Sequence, residues 1–306
     1  MAPDPSSRPP DRAPGESGRA KSWRTDPERN RRLRAGLAPL KGLLGPRTFR
    51  RLFGRLPVLG RVEIRLPEGS PLKLEAGVDD EVARELYFGG YRGFEPESIE
   101  LFRRLARRAD VIFDIGAHTG YYALVAALTR PEARVFAFEP LPSLAQRIRE
   151  NASLNAVKNV AVIEVALAER DGEATLHVPR GATPSSASTM KGFRKRTTPL
   201  PVRAVRVDTF FADEGLDRLD LVKMDTEATE PAVLIGFGEL LARFQPIILC
   251  EVLAGRTESA LMDLLEPLGY RYWHVTDGGL LPQARITGDP TYRFPNYLFA
   301  RTEPKL

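Results

Sequence analysis

The residues best suited to chemistry begin with the segment Asp114-Ile-Gly116-Ala-His118-Thr-Gly120, which follows a short apolar run. A parallel α/β sheet binds its ligands beyond the carboxyl ends of its strands. Glycine at the turn lets backbone approach a ligand closely, and an acid at the strand end can hold an amine or a hydroxyl. A second acid, Glu139, ends the next predicted strand, where it can accept hydrogen bonds from ribose hydroxyls.

The glycine spacing distinguishes two classes of nucleoside ligand. His118 occupies the middle glycine position of the G-x-G-x-x-G pattern found in dinucleotide-binding folds. A dinucleotide needs its phosphates on a glycine-lined helix N-terminus, whereas S-adenosylmethionine has no phosphate and its cationic groups suit Asp114. The segment therefore favours S-adenosylmethionine over NAD. The alternative without a ligand is a tight turn in which Asp114 caps the helix and His118 supports the loop.

A second run of charged side chains, Lys223-Met-Asp225-Thr-Glu227-Ala-Thr-Glu230, follows another predicted strand. Its three carboxylates repel one another unless Lys223, a helix N-terminus, a metal ion or a proton offsets their charge. We expect Asp225 to act as a base or orienting group, with Glu227 and His118 as the alternatives. Lys223 would tune these carboxylates. In the plainer interpretation, Glu227 and Glu230 are first-turn acids of a helix.

Glu251 ends a further predicted strand, so the sheet edge is expected to carry Asp114, Glu139, Asp225 and Glu251 together. A Mg²⁺ ion held by Asp225 and Glu251 is an alternative, because Mg²⁺ prefers oxygen ligands. The single cysteine and three scattered histidines otherwise predict no dedicated metal site. One cysteine also excludes an internal disulfide, which favours a cytoplasmic location.

The elements that must position these residues alternate between strand and helix. We predict strands at Val111–Ile115, Arg134–Glu139, Val160–Ala168, Val202–Val207, Leu219–Asp225 and Ile247–Val252, a closing pair at Tyr270–Thr276 and Asn296–Arg301, and one helix over Pro231–Arg243. This alternation predicts an α/β fold with a parallel sheet covered on both faces. Upstream, residues 61–77 predict a hairpin, and residues 79–87 and 96–108 predict helices.

The charge of the 306-residue chain is unevenly distributed. The formal net charge is +5, but residues 1–60 carry 14 Lys+Arg and 5 Asp+Glu, a net of +9, which leaves −4 for residues 61–306. A slightly acidic body argues against nucleic-acid binding. The sequence has no apolar run long enough for a membrane span and no signal peptide, and nothing in it specifies an oligomeric state.

Composition divides the chain into three parts. Residues 1–34 read as a disordered basic tail, 35–94 as a helical and hairpin cap, and 95–306 as the catalytic domain. Residues 36–57 form a basic helical segment that either packs on the domain or contacts an anionic membrane or acidic partner. Residues 180–200 predict a mobile loop, and its run Thr183–Thr189 is either a linker or part of a substrate pocket.

Six sequence blocks carry a family resemblance: VIFDIGAHTGYYALVAAL, VFAFEPLPSLAQRIRENASLN, VALAERDGEATLHV, VRAVRVDTFF, LDLVKMDTEATEPAVLIGFGELL and PIILCEVL. In this order they resemble the FkbM family of S-adenosylmethionine-dependent methyltransferases, from about residue 95 to 252. The resemblance implies a class I methyltransferase fold, a doubly wound seven-stranded sheet that is mostly parallel with a final antiparallel strand. It also implies O-methylation of a hydroxyl on a small-molecule or glycan acceptor such as a natural product, sugar or glycolipid.

The resemblance also assigns residues. It implies that Asp114, Gly116, Ala117 and Gly120 shape the cofactor loop together with His118, that Glu139 holds the ribose, and that Ala166 and Leu167 lie near the adenine. Two positions depart from the family pattern. His118 stands where the family usually has Asn, and Ala228 stands where it has Gly. Alanine there predicts an ordinary helical start.

Two other functions compete with methyl transfer. One is an NAD-dependent oxidoreductase on a Rossmann-like sheet. The other is a non-catalytic methyltransferase-like protein that the basic segment 1–60 recruits to a membrane or a partner. The three hypotheses differ in the ligand they require, since the first predicts binding of S-adenosylhomocysteine, the second predicts NAD, and the third predicts neither.

Overall fold

The computed structural model describes residues 26–78, 80–179, 187–190 and 197–304. Their strands are β1 (Gly60–Arg65), β2 (Pro71–Ala76), β3 (Val111–Ile115), β4 (Arg134–Phe138), β5 (Val160–Ile163), β6 (Ala166–Leu167), β7 (Gly172–Pro179), β8 (Thr197–Val205), β9 (Leu221–Met224), β10 (Ile247–Glu251), β11 (Arg271–Thr276), β12 (Gly279–Gln283) and β13 (Asn296–Ala300). Their α-helices are α1 (Pro27–Phe53), α2 (Glu81–Gly89), α3 (Pro96–Ala106), α4 (Tyr121–Thr129), α5 (Pro142–Leu154), α6 (Val207–Asp213), α7 (Glu230–Gly236), α8 (Leu240–Phe244) and α9 (Glu258–Leu265).

The main sheet has the strand order β12-β11-β13-β10-β9-β3-β4-β5. Strands β5, β4, β3, β9 and β10 are parallel, and β13 runs antiparallel between β10 and β11. This arrangement confirms the doubly wound, mostly parallel sheet with a final antiparallel strand. The expected count of seven is wrong, because β12 folds back on β11 as an eighth strand.

The sheet is apolar on both faces, as a parallel sheet covered by helices requires. In β3, Ile112 faces one hydrophobic cluster, and its neighbours Val111 and Phe113 face the other. All five residues of β3 are buried. The acids at the carboxyl ends of the strands are therefore held at the edge of a continuous core.

Two sequence predictions fail locally. The single helix predicted over Pro231–Arg243 is divided into α7 and α8, with Gly238 at φ +53° between them. Residues 27–34, assigned to the tail, are the start of helix α1, which begins with the Asp26 carboxylate accepting from the backbone of Glu28. Of the predicted tail and the predicted loop, residues 1–25, 180–186 and 191–196 lie outside the described residues, and residues 197–200 belong to β8.

The hairpin β1–β2 and helices α1 and α2 form a cap on the main sheet. Asn151 on α5 joins the two parts, because its carbonyl accepts from the Glu75 backbone at 2.8 Å and its amide donates to the Thr119 carbonyl at 2.9 Å. Thr119 lies in the glycine loop, so one buried side chain ties the cap to the loop. Within the described ranges, no helix has both the length and the hydropathy of a bilayer-spanning segment.

A small second sheet, in the order β6-β8-β7, lies beside the main one. Residues Ala166, Leu176 and Val202 of this sheet pack with Leu141 and Leu144 in a separate apolar cluster. The cluster places the β7–β8 hairpin next to the start of α5. The hairpin therefore supplies a wall to the cavity at the carboxyl edge of the main sheet.

Candidate functional site

A cavity of about 370 Å³ opens where strands β3, β4 and β9 end. It is lined by every residue predicted to bind a cofactor except Gly120 (Asp114, Gly116, Ala117, His118, Glu139, Ala166 and Leu167) and by all three predicted catalytic residues (Lys223, Asp225 and Glu227). Glu251 lines it as well. The structure thus brings together at one edge acids that lie more than a hundred residues apart in the chain.

The close approach of a neighbouring loop requires glycine at position 116. Its φ is +80°, and a Cβ there would lie 1.8 Å from the carbonyl oxygen of Asp225. The backbone of Asp225 also donates to the Ile115 carbonyl at 3.0 Å. The glycine loop and the Asp225 loop are therefore held against each other, which fixes the candidate base relative to the candidate cofactor loop. Gly120, at φ +84°, lets Ile148 approach closely and does not line the cavity.

Asp114 and Glu139 are buried carboxyls on adjacent strands. The Asp114 carboxylate accepts from the Ala123 backbone at 2.9 Å, and burial raises its pKa to about 7 in spite of nearby Lys223. The Glu139 carboxylate accepts from the backbones of His118 and Leu141, each at 2.9 Å. Burial also raises the pKa of Glu139 to about 7. Binding of a cation or a hydroxyl donor would lower both pKa values and favour the ionised carboxylates.

His118 has a left-handed backbone, with φ +52°. Asparagine and histidine both tolerate this conformation better than most residues, which accounts for His at a position where the family has Asn. Burial lowers the pKa of His118, opposed by the carboxylates of Asp80, Asp225 and Glu81. Its Nε2 is buried with no hydrogen-bond partner among the described residues, and the residue lines the cavity.

The end of the cavity beside the small sheet is apolar. Ala166 and Leu167 are each 6 % exposed and line it together with Leu144 and Leu176. A flat aromatic base gains from burial in such surroundings. The Glu139 carboxylate accepts from the backbone of Leu141, a member of this apolar cluster, so a carboxylate adjoins the apolar surface.

Another part of the cavity lining is dominated by one buried cation. Lys223 is 1 % exposed, and its Nζ lies 3.4 Å from Oδ2 of Asp225 and 5.1 Å from the centroid of the Tyr122 ring. Burial alone would lower the pKa of Lys223, but the carboxylates of Asp225, Glu95, Glu251 and Asp114 together raise it well above its usual value. The ammonium stays charged and offsets these acids.

Glu251 and Asp225 are neighbouring acids at the edge of the sheet. They follow in register on parallel strands, where Cys250 pairs with Met224. Burial, with repulsion from Asp225 and Glu227, raises the pKa of Glu251 well above its usual range, and its Oε2 is buried with no hydrogen-bond partner among the described residues. The protonated form of Glu251 is therefore favoured beside the side chain of Asp225.

The loop after β9 corrects the expectation of an ordinary helical start. Glu227 and Ala228 both have left-handed backbones, with φ +55° and +75°, and α7 begins only at Glu230. Glu230 is fully buried, and its carboxylate accepts from the backbone and hydroxyl of Thr226. Ala228 thus keeps the turn that glycine would favour. The Glu227 carbonyl accepts from the Ser188 hydroxyl at 2.7 Å, which ties this turn to the part of the 183–189 run that is described.

The residues that sequence reasoning missed come from the cap and from α4. Phe94, Glu95 and Glu81 line the cavity, and the hydroxyl of Tyr122 donates to the Glu95 carboxylate at 2.5 Å. Glu95 has φ +40°, a conformation fixed just before Pro96 begins α3. One signal was present in the sequence, since Phe-Glu-Pro occurs twice, at 94–96 and 138–140, and both glutamates line the cavity.

Among the described residues, no group of three or more His, Cys, Asp or Glu side chains is arranged to hold a metal ion. The pair Asp225 and Glu251 has Lys223 as its cationic neighbour. The local arrangement is two acids beside a buried ammonium.

The fold and the cavity define a doubly wound α/β protein with an acid-lined cavity at the sheet edge, and the comparisons specify the family. Residues 114–272 match the family model described as Methyltransferase FkbM domain. This match covers more than half of the chain, which therefore belongs to the FkbM methyltransferase family.

Individual relatives cover less of the chain. It is 30 % identical over 146 residues to the 2-O-methyltransferase NoeI of Sinorhizobium fredii, spanning 44 % of this chain and 59 % of NoeI, less than two thirds of that protein. It is 28 % identical over 203 residues to the 31-O-demethyl-FK506 methyltransferase FkbM of Streptomyces tacrolimicus, spanning 56 % of this chain and 74 % of that one. A crystal structure of the methyltransferase FkbM from Methylobacillus flagellatus shows 16 % identity and a TM-score of 0.39 over 72 % of this chain and 55 % of the other.

The buried carboxyl of Asp114 predicts a pH-dependent stability. Its pKa is about 7 in the folded protein and about 4 in an unfolded chain, so the folded state holds the proton longer. The stability that Asp114 contributes is fully present below about pH 4 and is lost as the pH rises to about 7. In the wild type, this loss lowers the unfolding free energy by up to about 1.4 kcal/mol per pH unit between these pH values. We expect Asp114→Asn to remove this contribution, so that the unfolding free energy of the variant falls less steeply with pH.

Urea unfolding at several pH values measures this slope. Asp263, an exposed acid on α9, supplies the matched control, since Asp263→Asn should leave the slope unchanged. Equal slopes for Asp114→Asn and the wild type would contradict the assignment of a raised pKa to this carboxyl.

Proposed function

We propose that this protein is an S-adenosylmethionine-dependent methyltransferase that transfers the methyl group to a hydroxyl of a small-molecule or glycan acceptor. The observation that carries the proposal is the placement of buried Asp114 and Glu139 on adjacent strand ends, with an apolar wall at Ala166 and Leu167. Both acids have hydrogen-bonding capacity beyond their backbone partners. FkbM-family membership and the oxygen-specific names of the two relatives support the same activity.

The cavity fits this cofactor on its own chemistry. The carboxyls of Asp114 and Glu139 are costly to bury, and a cationic amino group or a ribose diol would compensate them. At position 118 the glycine loop has histidine in place of the glycine that would allow a pyrophosphate to bind there. Asp114 would hold the amino acid portion, Glu139 the ribose and the Ala166–Leu167 wall the adenine. A bound S-adenosylmethionine supplies a methyl group already activated by its sulfonium.

The remaining chemistry falls to the acid cluster around Lys223. The acceptor hydroxyl must be oriented and must lose its proton as the new bond forms. Asp225 is the base in this proposal, and Glu251, which follows β10 beside it, would orient its carboxylate. The Lys223 ammonium lies 3.4 Å from Oδ2 of Asp225 and offsets negative charge in the low-dielectric cavity. Glu227 lines the same end and is placed to contact the acceptor.

The acceptor end of the cavity is polar and suits a hydroxylated molecule. Glu95, Asp225 and Glu227 line it, and carboxylates accept hydrogen bonds from several hydroxyls at once. A sugar, a glycolipid headgroup or a polyhydroxylated natural product therefore fits this wall. The cytoplasmic location expected from the single cysteine stays a prediction.

The proposal predicts a specific ligand preference. Calorimetric titration should show binding of S-adenosylhomocysteine and no binding of NAD. Glu139→Gln should weaken S-adenosylhomocysteine binding by about tenfold or more, because a charge-assisted hydrogen bond to ribose is worth about 1.5–3 kcal/mol. Glu164→Gln, which alters a more exposed acid after β5, is the control. Binding of NAD alone would support an oxidoreductase, and binding of neither would contradict an enzyme that uses this cavity.

Substitutions can test the roles of Asp225 and Glu251 separately. Asp225→Asn removes the base and should lower turnover by about 10²–10⁴-fold while S-adenosylhomocysteine still binds. Glu251→Gln keeps a neutral hydrogen-bond donor next to Asp225, so turnover should fall by no more than about fivefold. The assay follows S-adenosylhomocysteine release with an acceptor selected from a panel of sugars and hydroxylated small molecules. Asp225→Asn with wild-type turnover would remove Asp225 from the base role.

A further inference from the structure

The outer face of helix α1 is unusually apolar for a surface. The structure exposes nine large hydrophobic side chains among the described residues, and four of them are on this one helix: Leu33, Leu40, Leu43 and Leu52. Leu43 is 81 % exposed and Leu52 is 61 % exposed. Clustered apolar side chains on a surface mark an interaction site.

The helix is also bent into an open groove. Gly45 interrupts it with φ +70° and ψ +160°, so that α1 consists of two helical arms. Leu33 and Leu37 from the first arm, with Phe53 and Leu56 at the end of the second, line an open groove of about 400 Å³. These four side chains are its complete lining. The groove therefore suits hydrocarbon and offers no polar contact to a peptide backbone.

Basic side chains surround this apolar face. Residues 26–60 contain nine Lys+Arg and two Asp+Glu, and Arg31, Arg32, Arg51 and Arg55 are exposed. Lys41 belongs to the inner side, because its ammonium donates to the Tyr87 carbonyl of the cap. One side of the helix thus packs on the rest of the cap, and the other side carries leucines and arginines.

We propose that this outer face (Leu33, Leu40, Leu43 and Leu52 with Arg31, Arg32, Arg51 and Arg55) docks on an anionic membrane surface. The leucines enter the boundary between headgroups and acyl chains, and the arginines lie at the level of the lipid phosphates. A second copy of this chain fits poorly, because two such faces would bring like charges together. A nucleic acid would satisfy the arginines and leave the leucines in water. This inference does not depend on the proposed methyl transfer.

Vesicle sedimentation of the full chain tests the proposal. The probes are vesicles of phosphatidylcholine alone and vesicles of phosphatidylcholine mixed with phosphatidylglycerol. We expect binding to the anionic vesicles to be about tenfold tighter or more, and to weaken as salt is raised. The double substitutions Leu43→Ser with Leu52→Ser and Arg51→Glu with Arg55→Glu should each reduce this binding severalfold.

Matched controls separate docking from general effects. Ile235→Ser with Leu281→Ser changes two exposed apolar side chains elsewhere, and Arg170→Glu reverses an exposed charge far from α1, so both should bind vesicles like the wild type. An unchanged circular dichroism spectrum and an unchanged urea midpoint show that the α1 variants are folded. Equal binding to both vesicle types, no binding, or equal loss in the controls would overturn the proposal. A dimer that dissociates on Leu43→Ser with Leu52→Ser would also overturn it.

Discussion

The ammonium group of Lys223 is buried at the carboxyl edge of the sheet, with acids from four parts of the chain around it. Asp114 ends β3, Asp225 follows β9, Glu251 ends β10, and Glu95 comes from the segment that joins the cap to α3. Desolvated charges of one sign are costly unless an opposite charge is close. The central strand therefore carries the cation that allows the cap, the cofactor loop and the candidate base to meet in one cavity.

This arrangement explains why the site combines rigidity with unusual acids. The contact between Gly116 and the Asp225 carbonyl fixes two loops against each other, and Asn151 fixes the glycine loop to the cap. Within that frame, Asp114, Glu139 and Glu251 have raised pKa values because burial penalises their charged forms. Strain concentrates in the same loops, at His118, Glu227 and Ala228. Such strain is tolerated where surrounding contacts determine the backbone.

Local sequence pattern was sufficient to predict the sheet edge. Apolar runs that end in Asp114, Glu139 and Asp225 identify buried strands and their carboxyl ends, because parallel strands deliver those ends to one side. The eighth strand was missed because Pro282 breaks its pattern, although proline is allowed in an edge strand. Asp277-Gly278, a hairpin signal, stood directly before it.

Long-range contacts could not be predicted in the same way. Nothing local shows that Tyr122 on α4 reaches Glu95, or that the Ser188 hydroxyl bonds to the Glu227 carbonyl. The left-handed turn at Ala228 likewise contradicts local preference, because neighbouring loops impose it. The charge pattern of the sequence did distinguish a basic N-terminal segment from an acidic body. Only the bend at Gly45 shows how Leu33 and Leu37 line one groove with Phe53 and Leu56.

The most direct test of the account is the unfolding free energy of Lys223→Met at two pH values. The substitution leaves the acids without their cation, so we predict a loss of about 3–5 kcal/mol at pH 8 and a smaller loss at pH 5. The difference arises because the acids take up protons more readily as the pH falls. Exposed Lys158, changed to Met, is the control and should cost little at either pH. A loss that is the same at both pH values, or no larger than that of the control, would contradict the central role of this cation.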